Sequence, residues 1–230
     1  MDKEIIISAK GLTKTFGSGD SKVTAVNNVS LEVYKGEIVA VTGESGSGKS
    51  TLLNLLGGLD KPDSGTVTVD GRELTALKDH QLAAYRRRYS GFVFQFYNLI
   101  PVLNVEENLA LPLDLDGRNT DKSRLEELLQ LLGLSDRRYN LPAQLSGGQQ
   151  QRVAIGRAVI AEPPCIFADE PTGNLDTANS REIVDLFKQL AAKYGTTVIL
   201  VTHDGTVAAE ADRVITMRDG TVVSEKVRSI

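Results

Sequence analysis

Ile38-Val39-Ala40-Val41-Thr42-Gly43-Glu44-Ser45-Gly46-Ser47-Gly48-Lys49-Ser50-Thr51 is the stretch on which the fold turns. The unbroken apolar tetrad Ile38–Val41 suits a strand buried on both faces, as in a parallel sheet covered by helices. Gly43 to Ser50 satisfies G-x-x-x-x-G-K-[ST] at every fixed position, and the LLNLLGGL that follows reads as a helix. Such glycines let the backbone curl until several N–H groups face one phosphate, at a helix N-terminus that already favours anions. Gly43, Ser45, Gly46, Ser47, Gly48 and Thr51 form or flank this cradle. Lys49 can reach the β- and γ-phosphates, and the Ser50 hydroxyl can ligate Mg²⁺. A nucleoside triphosphate with its Mg²⁺ is the expected ligand.

Outward from this stretch, Val198–Val201 and Cys165–Ala168 are further continuous apolar runs. Val67 and Val69 alternate with threonines ahead of Asp70-Gly71, the pattern of a half-exposed strand ending in a turn. Asp219-Gly220, between RVITMR and TVV, is a hairpin signal. Leu125, Leu128, Leu129 and Leu132 fall at i, i+3, i+4, i+7, and Ile183, Leu186, Phe187 and Leu190 repeat that spacing, so both segments read as helices. Residues 96–160 are helix-rich, whereas both ends supply strands. The reading is one α/β core formed by both ends, with a helical part inserted between.

Composition bounds the rest. The 230 residues suggest one large domain or two small ones, and 41% hydrophobic content excludes wholesale disorder. No apolar run approaches the roughly 18 residues of a membrane span, and MDKEIIISAK lacks a signal-peptide core. The single Cys165 cannot pair within the chain, which fits a reducing compartment. A soluble cytoplasmic protein is expected. With 30 acids against 26 bases, the net charge of −4 argues against a nucleic-acid partner. Arg86-Arg87-Arg88, between two tyrosines, reads as a solvated helix end or as contacts within the protein.

Two further motifs carry chemistry. Cys165–Glu170 is an apolar strand ending in acids, which is how phosphate-loop folds set a carboxylate beside the metal; Asp169 is read as the Mg²⁺ anchor. Glu170 then stands where it can polarise the attacking water, although two acids at a strand end also fit a surface cap. In Leu145-Ser146-Gly147-Gly148-Gln149, two glycines ahead of a helix offer a second set of amides, with the Ser146 hydroxyl beside them. One nucleotide does not need two cradles, so the second suits a nucleotide held by another copy. A plain glycine turn is the alternative.

The phosphate loop, LSGGQ and Asp169-Glu170, in this order, resemble the ATP-binding-cassette (ABC) ATPases over essentially the whole chain. The resemblance implies a P-loop NTPase, RecA-like α/β core over 1–94 and 161–230, an antiparallel β subdomain, and an inserted helical signature subdomain over 95–160. It implies that Gln95 is the Q-loop glutamine, reaching Mg²⁺ with Ser50 and Asp169. Asn174-Leu175-Asp176 would be the D-loop, with Asp176 near nucleotide, and His203 the switch histidine acting with Glu170 and Lys49 in catalysis. Phe16 sits where the family stacks an aromatic ring on adenine; a core Phe is the other reading. A head-to-tail dimer would sandwich two ATP, each between one phosphate loop and the opposite Ser146, Gly147, Gly148 and Gln149.

Phe94–Pro101, LNVEENLALPL and Glu170–Asp176 are similar to the MacB/LolD-like branch, which works with a separate permease in export of macrolides or peptides, or in lipoprotein release. Gly156, where relatives often carry Ala, and Asn140-Leu141 ahead of Pro142 depart from that branch. The resemblance implies a peripheral position on the inner membrane face, with the permease docking near Phe96–Leu103. Phe96, Tyr97, Leu99, Ile100 and Leu103 fit neither a helix face nor a strand face; they suit a groove for a partner helix or packing within the helical part. A DNA-repair motor would need long heptad segments before the signature, and none occurs. A regulatory cassette of the cell-division type, signalling without moving a solute, remains the alternative.

Overall fold

The computed structural model describes residues 4–228. Two long strands, β1 (Ile5–Phe16) and β2 (Val23–Tyr34), form an antiparallel hairpin that leads into β3 (Ile38–Gly43) and, after the phosphate loop, α1 (Lys49–Leu56). Next come β4 (Ser64–Val69), β5 (Arg72–Glu73), α2 (Asp79–Tyr89) and β6 (Ser90–Phe94). The segment up to the next strand holds α3 (Val105–Leu115), α4 (Lys122–Leu131) and α5 (Gly147–Val159). The chain then returns through β7 (Cys165–Asp169), α6 (Thr177–Tyr194), β8 (Thr197–Val201), α7 (Gly205–Ala209), β9 (Arg213–Arg218) and β10 (Thr221–Val227).

The strands make two sheets. β2-β1-β4-β5 is antiparallel, and β10-β9-β3-β8-β7-β6 is parallel except for the β9–β10 hairpin at one edge. β8 lies between β3 and β7, so a strand separates the one that feeds the phosphate loop from the one that ends in Asp169. The expected α/β core with an antiparallel subdomain and inserted helices is the architecture found.

The apolar runs behave as their lack of alternation requires. Ile38 and Ala40 enter a core with α3 to α6, while Val39 and Val41 enter the opposite core with β1, β2, β4 and α1. Ile166 and Ala168 divide from Cys165 and Phe167 in the same way, as do Val198 and Leu200 from Ile199 and Val201. Successive side chains of a strand point to opposite faces, so a strand covered on both sides must be apolar throughout. Each fully buried Leu, Val, Ile or Phe of these runs contributes roughly 1.5–3 kcal/mol.

The leucine spacings fold as α4 and α6, with Leu128 and Leu190 fully buried. Asp219 and Gly220 both take positive φ, 47° and 75°, the backbone of a tight turn whose twist matches the strands it joins. The helix after the phosphate loop is shorter than its apolar run. It stops at Leu56, because Gly58 turns left-handed (φ 70°) and Asn54 O accepts from the N–H groups of both Leu59 and Asp60. The three arginines end α2 with internal contacts: Arg86 donates to Gly58 O, and Arg88 Nε pairs with Asp116.

Candidate nucleotide site

All parallel strands deliver their C-terminal ends to one edge, where the phosphate loop lies. Gly43, Gly46 and Gly48 take φ of 145°, 78° and 96°. A Cβ on Gly48 would stand 1.9 Å from Ala25 O, and one on Gly43 would stand 2.3 Å from Met217 O, so only glycine fits either place. Ser47 N donates to Glu44 O (3.2 Å), and Gly220 N donates to Ser47 O (3.2 Å), tying the β9–β10 turn to the loop. Lys49, 8% exposed, folds back over the loop: its Nζ donates to Gly43 O (3.0 Å) and Glu44 O (2.7 Å).

Ser50, in the first turn of α1, donates through Oγ to Asp169 Oδ1 at 2.8 Å. Burial lifts the Asp169 carboxyl above the ordinary carboxylate range; the nearby Glu170 adds to this, while the Ser50 hydrogen bond and Lys49 oppose it. Glu170 leaves the strand in the left-handed region (φ 48°), a strained conformation for a side-chain-bearing residue, and its N–H donates to Val201 O (3.0 Å). Its Oε2 lies 2.8 Å from His203 Nδ1, an ion-pair distance when the imidazole is protonated. The contact lacks hydrogen-bond alignment, so this buried oxygen keeps a free acceptor capacity. His203 itself is largely exposed.

β6 pairs with β7 so that Phe94 faces Asp169, and Gln95 therefore leaves the sheet beside Glu170. Gln95 Nε2 donates to Asn174 Oδ1 (3.2 Å), and Asn174 Nδ2 donates back to Gln95 O (2.9 Å). The Gln95 amide oxygen is left for another donor or a cation. Ser50 hydroxyl, Asp169 carboxylate and Gln95 amide oxygen are hard ligands of the kind Mg²⁺ takes together with phosphate oxygens and water. These residues fit that ion.

Asp176 has a structural job within the chain. It caps α6, accepting from Asn179 N (2.8 Å) and Asn179 Nδ2 (2.8 Å), and these bonds hold its carboxyl below the usual range. Ser146 likewise caps α5 in a reciprocal box: Gln149 N donates to Ser146 Oγ, and Ser146 N donates to Gln149 Oε1. A Cβ on Gly147 would stand 2.9 Å from the Tyr97 hydroxyl, and one on Gly148 would stand 2.6 Å from Asn179 Oδ1. Among the described residues, no hydrogen bond or ion pair joins Ser146–Gln149 to the loop 43–51.

Phe16 ends β1 and is 47% exposed, which sets aside the core reading. The β1–β2 register pairs it with Val23, close to Ala25, which touches the phosphate loop. Lys14 Nζ lies 5.4 Å from its ring centroid and is anchored by Asp60 Oδ1 and Lys61 O. Sequence reasoning missed Lys14 and, although it set Asn174 in the D-loop, the pairing of Gln95 with Asn174.

The apolar segment after Gln95 divides in two. Phe96 and Ile100 are exposed and Val102, which the sequence reading omitted, is 78% exposed, whereas Leu99 packs against the main core. Asn108 buries its side chain to hold the turn, accepting from Ile100 N and donating to Ile100 O, Leu103 O and Asn104 O.

A six-stranded sheet with a glycine-rich loop at the end of β3, and acids at the end of a strand two places away, defines a P-loop nucleotide-binding cassette. The chain belongs to the ABC transporter family, whose pattern matches residues 26–173. It is 46% identical over 223 residues to the macrolide export ATP-binding/permease protein MacB of Neisseria gonorrhoeae, covering 96% of this chain and 34% of that one. It thus spans about a third of the length of the MacB relatives it matches. It is 44% identical to the uncharacterized ABC transporter ATP-binding protein YknY of Bacillus subtilis, with 95% of each chain covered. Among solved structures, it is similar to a dimeric post-hydrolysis ATP-binding cassette bound to ADP and Pi (TM-score 0.89, 43% identity, 98% of this chain and 100% of that one).

Proposed function

We propose that this chain hydrolyses ATP in a head-to-tail homodimer and thereby drives a separate membrane permease of the export type. The observation that carries the reading is the Ser50–Asp169 bond at 2.8 Å, with Glu170 and His203 directly beside it at one sheet edge. Lys49 would exchange its two loop carbonyls for β- and γ-phosphate oxygens. Ser50, Asp169 and Gln95 would hold Mg²⁺, whose charge offsets that of the phosphates. Glu170 would orient and deprotonate the attacking water through its unsatisfied oxygen. His203 would stabilise charge gathering on the γ-phosphate.

The dimer is supported by the separation of the two cradles within one chain and by the dimeric solved cassette that this fold resembles. No helix of the described residues is long and apolar enough to cross a membrane, and the relatives named as ATP-binding/permease proteins support work alongside a permease. The exposed Phe96, Ile100 and Val102 lie next to Gln95 and suit its docking. The chain would then sit peripherally at the inner face of the membrane. Likeness to a macrolide export protein supports a macrolide-like drug as cargo, with a peptide or a lipoprotein as the other cargoes that the sequence resemblance implies.

Glu170→Gln keeps the shape and removes the base. Hydrolysis should stop while ATP binding survives, and a dimer should appear on a sizing column only with ATP. Hydrolysis at the parental rate would falsify the assignment.

A further inference from the structure

Two consecutive residues beyond Gln95, Tyr97 and Asn98, hold left-handed backbone with φ of 61° and 49°. Neither is glycine, and a Tyr is seldom found there, so something outside the turn must hold it. The turn's own bonds are few: Tyr97 N donates to Phe94 O (3.1 Å) and Asn98 N to Phe96 O (2.6 Å). The brace comes from α5. Arg157 Nη2 donates to Tyr97 O (2.9 Å) and Nη1 donates to Asn98 O (2.6 Å), one planar fork on two successive carbonyls. No carboxylate pairs with this guanidinium among the described residues, so its polar contacts are spent on the strained turn.

The same helix begins with the second glycine cradle. The Tyr97 hydroxyl approaches Gly147 closely enough that a Cβ there would stand 2.9 Å away. The turn therefore meets α5 at two levels, by the close approach of Tyr97 to its first residues and by the Arg157 bonds further along. On its other side Gln95 is bonded to Asn174. We infer that Arg157 is a positioning residue: it locks the turn after Gln95 onto α5, so that Gln95 and the amides of Ser146–Gly148 move as one body. The inference rests on the reading above, in which Gln95 answers to bound nucleotide and the Ser146 loop serves the opposite copy. Lysine should replace it poorly: its ammonium is a point donor on a flexible stem and lacks the rigid planar fork that holds both carbonyls at a fixed spacing.

The test uses the full chain with Arg157→Lys and Arg157→Met. Nucleotide binding to the monomer, read with a fluorescent ATP analogue, should stay within about twofold, since the phosphate loop is untouched. kcat should fall about ten- to a hundredfold, the range for a misplaced but intact site. In the Glu170→Gln background, both variants should need more ATP to dimerise. Adding Asn98→Gly to Arg157→Met, which removes the strain at one of the two positions, should return part of the lost kcat. If Arg157→Met does not fold, Arg157→Lys decides, and parental kcat in it overturns the proposal. Binding and kcat falling together, or no recovery with Asn98→Gly, would also overturn it. Glu170→Gln alone separates the two ideas: if it hydrolyses ATP normally, the underlying reading fails, whereas its inactivity leaves Arg157 to stand or fall by itself.

Discussion

Glu170 Oε2 and His203 Nδ1 lie 2.8 Å apart, joining the residue after β7 to the loop after β8 across the end of the sheet. The two strands are neighbours, with Asp169 paired to Val201, so the sheet register sets this distance. His203→Ala should therefore lower kcat far more than ATP affinity, by about a hundredfold or more, as for other groups that stabilise transition-state charge. Turnover and single-turnover binding measured on the same preparation will show it. Lost affinity in a folded protein, or unchanged turnover, would point to the other histidine, His80 on α2.

Asp169 gives a prediction of opposite sign for stability and activity. Its carboxyl is raised by burial, so the folded state holds the proton more tightly than the unfolded chain does. The stability this brings is present below the ordinary carboxylate value and lost as pH rises through the raised one. At neutral pH the charged group is thus a net cost. Asp169→Asn should raise the nucleotide-free Tm at pH 7, with a smaller gain near pH 4, while Mg²⁺-dependent hydrolysis collapses. A lower Tm at pH 7 would show that the Ser50 bond outweighs burial.

Base recognition should be permissive. A ring offers a face to any purine, worth about 1–3 kcal/mol per stacked base. GTP should bind with modest loss relative to ATP, and Phe16→Ala should weaken both alike by about tenfold or more. Selection for ATP that survives Phe16→Ala would assign base reading to another group.

The apolar segment after Gln95 can be dissected by exposure. Phe96→Glu and Val102→Glu place charge in solvent and should leave Tm and basal hydrolysis nearly unchanged while abolishing co-purification with the permease. Leu99→Glu puts a carboxylate against the core and should cost several kcal/mol of stability. An intact permease complex with both surface variants would move the docking surface elsewhere.

Much of the site was legible because its pieces are local in sequence. The turn chemistry of Gly43–Gly48, the apolar strand before Asp169 and the glycines before α5 each state their own backbone requirement. The buried strands were readable for a similar reason: Val198–Val201 must be apolar on both faces, and nothing remote alters that. β1 was harder. Its pairing with β2 shifts register between Ala9 and Leu12, around the left-handed Gly11, which breaks the alternation that would mark a strand. The Arg157 brace and the Gln95–Asn174 pair join residues roughly sixty and eighty positions apart. No spacing rule spans such distances. Leu99 and Ile100 look alike in a hydropathy pattern, and only packing against the main core decides which of them faces water.

The phosphate loop is held from outside by Ala25 of β2 and, from the last hairpin, by Met217 and the Gly220 N–H, two segments far apart in sequence. A glycine-rich loop left to itself would sample many shapes, and a ligand would have to freeze them at the expense of its own affinity. Here that ordering is completed when the sheet assembles. Nucleotide can arrive at and leave a single chain without waiting for its cradle to form. In the dimer proposed above, the slow step of a catalytic cycle would then fall on the meeting and parting of two such chains, where the second cradle would be supplied.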